Sequence, residues 1–250
     1  MTPERNQRIR QVLDRRQLDL TVCMERVHKA HNIAAVLRSC DAVGIHKMHA
    51  VWDEKPRMRR GTAKGSQNWV SVESHESIQD AVSCLKQQGM QILVTNLSDK
   101  AVDFRDIDYT RPTAIILGQE KDGITQDAIA MADHEIVIPM MGMVQSLNVS
   151  VAAALILYEA QHQRDKAGLY QHPKLDQTEY QRILFEGGYP NLVQLCQRKQ
   201  LPYPYVDEDG QIQADDTWWQ QMQLTPAGLA KLEAEQVARA DKNDIVDLEL

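Results

Sequence analysis

Residues 138–160 read IPMMGMVQSLNVSVAAALILYEA, and this stretch decides the fold. A short apolar strand end runs into a compact loop, residues 139–147, that carries three methionines, one glycine and the polar pair Gln145 and Ser146. Asn148 stands where a helix N-cap belongs. The helix predicted from Val149 is apolar nearly all the way round to Tyr158, so protein must cover it on most sides. A loop of such composition between two buried elements is more often a site than a connector.

Composition narrows the classes. The chain has 250 residues, 43% hydrophobic and 25% charged, enough for a sizeable core in one large domain or one domain with appendages. No apolar run reaches the roughly 18–20 residues needed to span a bilayer, and the first ten residues, MTPERNQRIR, lack the apolar centre of a secretion signal. Cys23, Cys40, Cys84 and Cys196 lie far apart without a CxxC pair, which indicates neither zinc nor a disulfide framework. His28 and His31 precede a helix without further ligands, so no metal is expected there. A cytoplasmic protein with reduced thiols is the expectation.

The net charge of −7 hides an asymmetry. Residues 1–70 hold 14 Lys/Arg against 7 Asp/Glu, a net of +7, whereas residues 207–250 hold 3 against 11, a net of −8. Screening over about 8–10 Å lets a basic face act locally on an acidic whole, so a nucleic-acid contact is allowed. The predicted helix over residues 3–18 places Arg8, Arg15 and Arg16 among its polar positions, either as a solvated face or against an RNA backbone. Residues 54–68 form a Gly-, Lys- and Arg-rich loop with five basic residues, Arg59 and Arg60 among them, read as a solvated loop or a phosphate clamp.

Along the chain, short apolar strands alternate with helices. Strands are predicted at residues 21–27, 47–52, 90–96, 113–117 and 135–139, and helices at 76–88 and 125–132. A helix capped by Asn32 carries Ile33, Val36, Leu37 and Cys40 on one face and stops before Gly44. The rhythm implies a mainly parallel sheet flanked by helices, with ligands at loops beyond the strand C-termini. Asn96, residues 118–123 and residues 139–147 form three such loops. Two short helices, 177–186 and 191–199, precede an acidic tail. The GxGxxG, Walker A, GxSxG and HExxH patterns are absent.

Three segments together are more specific. Asn32-Ile-Ala-Ala-Val-Leu-Arg38, Ile116-Leu-Gly-Gln-Glu120-Lys-Asp-Gly123 and Ile138-Pro-Met-Met-Gly-Met-Val-Gln-Ser146-Leu-Asn148 resemble, in order, motifs 1, 2 and 3 of the SpoU branch of the SPOUT RNA methyltransferases. The likeness extends over roughly residues 1–200, and LFEGGYP and LPYP resemble the C-terminal part of TrmH-type members, which act on guanosine-18 of tRNA.

The resemblance implies a deep trefoil-knotted α/β fold and a homodimer packed through the knot regions. It implies S-adenosyl-L-methionine bound among Thr95, Asn96, Leu117, Gly118, Gly123, Ile138, Met143, Ser146 and Leu147, with Leu117, Ile138, Met143 and Leu147 sandwiching the adenine. It assigns the chemistry, transfer of methyl to a ribose 2′-OH, to Arg38 with Asn32, Glu120, Ser146 and Asn148. Arginine is always protonated, so Arg38 is read as gripping a substrate phosphate that helps remove the proton. Arg164 would hold tRNA, while His162 stands where the family pattern leads one to expect arginine. Expected divisions are a basic helical extension (1–19), the methyltransferase domain (20–166), a tRNA-binding helical extension (167–206) and an acidic tail (207–250). Ribosomal RNA as substrate, or a non-catalytic RNA-binding module, are the competing readings.

Overall fold

The computed structural model describes residues 1–52, 65–119, 121–223 and 228. The basic loop expectation, including Arg59 and Arg60, and the role given to Glu120 lie outside the described residues. In chain order the elements are α1 (Pro3–Leu13), β1 (Leu20–Glu25), α2 (Ala30–Ala42), β2 (Lys47–Val51), β3 (Ser71–His75), α3 (Ile78–Gln87), β4 (Gln91–Thr95) and β5 (Val102–Asp103). There follow β6 (Thr113–Leu117), α4 (Gln126–Met131), β7 (His134–Val137), α5 (Val149–Lys166), α6 (Gln177–Gly188), α7 (Pro190–Lys199), β8 (Tyr205–Val206), β9 (Ile212–Gln213) and α8 (Asp216–Met222).

Two compact units divide the chain. Residues 16–172 form the larger one, built on a seven-stranded sheet in the order β3-β2-β1-β6-β4-β7-β5 with every neighbouring pair parallel. The central strands β1 and β6 are buried at every position, as strands covered on both faces must be. Alternation sends their side chains to opposite faces. Val22, Met24, Ile115 and Leu117 join the core formed with Ile33, Leu37, Ala153 and Leu157 of α2 and α5. Cys23, Ala114 and Ile116 join the core formed with Ala81, Leu85 and Ala128 of α3 and α4.

Local rules set the helix starts. Ser77 and Thr125 cap α3 and α4 by accepting from the amides of Asp80 and Ala128. Asn148 caps α5 as read from the sequence, its side chain accepting from the Ser150 amide. Asn32 does not cap α2. The helix begins two residues earlier, after Lys29, which offers no side-chain cap. Asn32 instead lies in the first turn, 1% exposed, because its amide is used in a tertiary contact.

One chain covers α5 only in part. Val149, Ala153, Ile156, Leu157 and Ala160 are buried, but Val151, Leu155 and Tyr158 are 48%, 43% and 55% exposed.

The smaller unit combines residues 1–15 with the described residues from Pro173 onward. In it the Arg5 guanidinium donates to the Gly187 carbonyl, and Arg10 donates to the Asp207 carbonyl at 2.5 Å. Tyr189 donates to the Gly210 carbonyl at 2.5 Å and Tyr180 to Asp14 at 3.0 Å. Part of the basic face of α1 is thus spent on the chain's own carbonyls, while Arg8 and Arg15 remain exposed.

Candidate active site

Parallel strands deliver their C-terminal ends to one edge of the sheet. Where β6, β4 and β7 lie side by side, the segments that follow them enclose a cavity of about 400 Å³, a volume usual for small-molecule sites. Its walls come from Thr95, Asn96 and Leu97 after β4, from Leu117, Gly118, Gln119 and Gly123 after β6, and from Ile138 and Met140 after β7. Gln145, Ser146, Leu147 and Asn148 close it, with Val149, Ala152 and Ile156 of α5 behind them.

The tight turn after β6 depends on glycine at both ends. A Cβ on Gly118 would lie 2.3 Å from the Gly123 carbonyl, and Gly123 itself sits at φ +70°. The Gly123 amide donates to the Gln119 carbonyl at 3.0 Å, which closes the turn. Backbone polar groups thereby reach the cavity rim without side chains in the way.

Two carboxylates hold these loops in place. Glu25, 1% exposed at the end of β1, accepts from the Thr125 amide at 2.9 Å and its hydroxyl at 2.6 Å. Glu135 of β7 accepts from the Ser98 hydroxyl and the Asn96 side-chain amide, each at 2.7 Å. Those two bonds, Ser98 first and Asn96 second, hold its carboxyl below the usual range. Neither glutamate stood out in the sequence, where an acidic residue at a strand position reads as solvated. Buried thiols play no part: burial pushes Cys23 up to about 12 and raises Cys40 as well.

A side-chain hydrogen bond ties the cavity to α2. Asn148 Nδ2 donates to Asn32 Oδ1 at 3.2 Å. Asn32 thus meets the start of α5, and Arg38 lies six residues further along α2, exposed, with no hydrogen bond or ion pair among the described residues.

Of the residues expected to hold a cofactor, Thr95, Asn96, Leu117, Gly118, Gly123, Ile138, Ser146 and Leu147 line the cavity. Met143 does not. It is 99% exposed, and Met140 occupies the apolar wall in its place, because the loop turns its tip toward solvent. Loop composition pointed to methionine but could not say which one faces inward.

Two of the arginines expected on RNA are inside the protein. Arg164 is 0% exposed; it donates to Gln17 Oε1 and the Tyr109 carbonyl, each at 3.0 Å, and pairs with Asp19. Arg16 is 1% exposed, bonded to the Ile45 carbonyl and Asp41, both at 2.8 Å. These guanidinium groups tie α5 to the segment before β1, and that segment to the end of α2, rather than face a phosphate.

A parallel α/β domain with a cavity beyond the C-terminal ends of adjacent strands belongs to the class of sheets that bind ligands at that edge. Comparison makes the class specific. The model of the SpoU rRNA Methylase family matches residues 19–158, and that of its C-terminal region matches residues 162–215. The tRNA (guanosine(18)-2′-O)-methyltransferase of Escherichia coli K12 is 60% identical over 226 residues, 89% of this chain and 99% of that protein. The enzyme of the same name from Thermus thermophilus is 52% identical over 73% of this chain and 95% of its own length. Among solved structures, the Aquifex aeolicus TrmH/SpoU tRNA modifying enzyme superposes with a TM-score of 0.71 at 42% identity, covering 76% of this chain and 97% of that one. The chain belongs to the SpoU methylase family.

Proposed function

We propose that this protein methylates the ribose 2′-oxygen of guanosine-18 in tRNA, with S-adenosyl-L-methionine as methyl donor. The observation that carries the reading is the cavity at the ends of β4, β6 and β7, coupled through Asn148 and Asn32 to the helix bearing Arg38. Relatives named for this reaction match nearly the whole chain.

The cavity suits the donor. Apolar Leu117, Ile138 and Leu147 are placed to flank a planar base, while the glycine turn after β6 exposes backbone amides and carbonyls to its edge. A family structure, AviRb from Streptomyces viridochromogenes, was solved in complex with AdoMet and superposes with a TM-score of 0.50 at 30% identity. When bound, the donor supplies an electrophilic methyl group on a sulfonium.

The chain's own residues orient and neutralise. Asn148 fixes the start of α5 and is held to α2 by Asn32, and Ser146 lines the cavity beside it. Arg38, permanently charged, grips a phosphate of the substrate. A phosphate oxygen takes the 2′-OH proton as the new carbon–oxygen bond forms and the carbon–sulfur bond breaks. Positioning in a dry cleft, rather than a strong base, carries the rate. Glu120, Arg59 and Arg60 keep their proposed roles toward substrate on the sequence pattern alone.

The working form is a homodimer. Val151, Leu155 and Tyr158 form an apolar stripe on α5 that a single chain leaves exposed, and a second copy covering it supports a knot-to-knot interface. Exposed Arg8 of α1 and exposed Arg15 just after it support a tRNA-backbone contact by the N-terminal extension. Among the described residues no helix is long and apolar enough to cross a membrane. The proposed substrate makes the cytoplasm the working compartment.

Arg38→Ala tests the assignment. Methyl transfer to tRNA is expected to vanish while the donor still binds with unchanged affinity. Unaltered turnover would overturn the role given to Arg38.

A further inference from the structure

On the sheet's outer edge, away from the strands that form the cavity, β2 and β3 bring three potential ligands together. They pair in parallel with His49 opposite Glu73 and Val51 opposite His75, so His49, Glu73 and His75 project from one face. His49 Nδ1 and His75 Nε2 are 2.8 Å apart, and the rings stack at 5.1 Å with planes 22° apart. His75 Nε2 is 4.0 Å from Glu73 Oε1, and one ligand atom from each of the three lies within 4.8 Å of the others.

We propose that His49, His75 and Glu73 form a binding site for a divalent first-row transition ion of the zinc class, which clips edge strand β3 to β2. An ion with bonds of roughly 2.0–2.1 Å spaces tetrahedral ligands about 3.3–3.5 Å apart, within an ångström of the observed 2.8 and 4.0 Å. Two imidazoles and one carboxylate leave the fourth position to water, the ligand set that suits zinc. An imidazole turns a lone pair toward an ion by carrying its proton on the other ring nitrogen.

The surroundings match the requirement. His49 is 2% exposed, so packing holds its ring in place beside His75. Lys47 Nζ sits 2.8 Å from Glu73 Oε2, leaving Oε1 as the oxygen nearer the histidines. That hydrogen bond fixes the orientation of the carboxylate, as an outer-shell partner of a ligand does. A hydrogen-bonded histidine pair that merely ties two strands would show the same contact without binding an ion.

The test uses the untagged full-length protein after dialysis against chelator. Titration with Co²⁺ is expected to give the intense visible absorption of a four-coordinate ion, saturating at one equivalent per chain, and Zn²⁺ is expected to displace it. His75→Gln and Glu73→Gln change partly exposed groups on the edge strand, and circular dichroism verifies their folding. Each is expected to weaken binding by about tenfold or more, since even outer-shell partners carry a factor of about 10–100. Zn²⁺ is further expected to raise the wild-type melting temperature and to leave that of His75→Gln unchanged. Absence of the Co²⁺ band in wild type, or an undiminished band in folded His75→Gln, would overturn the site.

Discussion

The side-chain amide of Asn148 donates to the side-chain carbonyl of Asn32 at 3.2 Å, joining residues 116 positions apart in the chain. The same Asn148 accepts from the Ser150 amide at 2.9 Å and so caps α5. One residue thus starts the helix behind the cavity and anchors it to the helix that bears Arg38.

Asn148→Ala removes both bonds. Loss of the cap costs about 1 kcal/mol, and loss of a donor to the buried Asn32 carbonyl about as much again. Urea unfolding is expected to show a loss of about 2 kcal/mol. Asn148→Ser keeps the cap and is expected to recover about half of that stability, yet not the rate of methyl transfer. Full activity in the serine variant would sever the link drawn between the two helices.

Glu135 holds the loop after β4 through Asn96 and Ser98. Its carboxyl titrates below the ordinary range, so the tethering is complete above the unfolded value of 4.5 and fades as pH falls through the lowered one. Donor affinity, followed by calorimetry, is expected to drop on acidification only below that ordinary range. In Glu135→Gln the KM for the donor is expected to rise several-fold with little change in kcat. A kcat effect at constant KM would place Glu135 in the chemistry instead.

Arg164 separates architecture from RNA contact. Removing a fully buried guanidinium leaves Asp19 and two backbone or amide acceptors without their donor. Arg164→Met is expected to cost about 3 kcal/mol in chemical denaturation. The slope of log affinity for tRNA against log salt is expected to stay at its wild-type value, because no phosphate contact is lost. A shallower slope with intact stability would return Arg164 to the RNA surface.

Exposed Leu155 lies at the middle of the stripe on α5. Sedimentation of the wild type is expected to give the mass of two 28.5-kDa chains, and Leu155→Glu the mass of one. A monomeric wild type would contradict the dimer reading.

Much of this was legible in the sequence, for physical reasons. The strand at Thr113–Leu117 is an unbroken apolar run buried on both faces, and the sequence reading and the structure give it the same limits. Edge strand β3 was missed because Ser71-Val-Glu-Ser-His75 alternates weakly and is only partly buried. Asn32 reads as a cap because asparagine before an apolar stripe usually is one; its partner, Asn148, lies 116 residues away and is invisible to local pattern. Charge was the least readable property. Arg16 and Arg164 have the same letter as Arg38, but nothing local tells a committed guanidinium from a free one. Those partners, Asp41 and Asp19, are reached across the fold.

The central claim is tested most directly by mapping where the methyl group goes. Unmodified tRNA transcript and ribosomal RNA are each incubated with labelled methyl donor and the wild-type protein. Resistance of individual linkages to alkaline cleavage then marks each 2′-O-methyl group. A single protected linkage is expected at guanosine-18 of the tRNA, absent when adenosine replaces that guanosine and absent with Arg38→Ala. Methylation confined to ribosomal RNA, or to neither substrate, would contradict the claim.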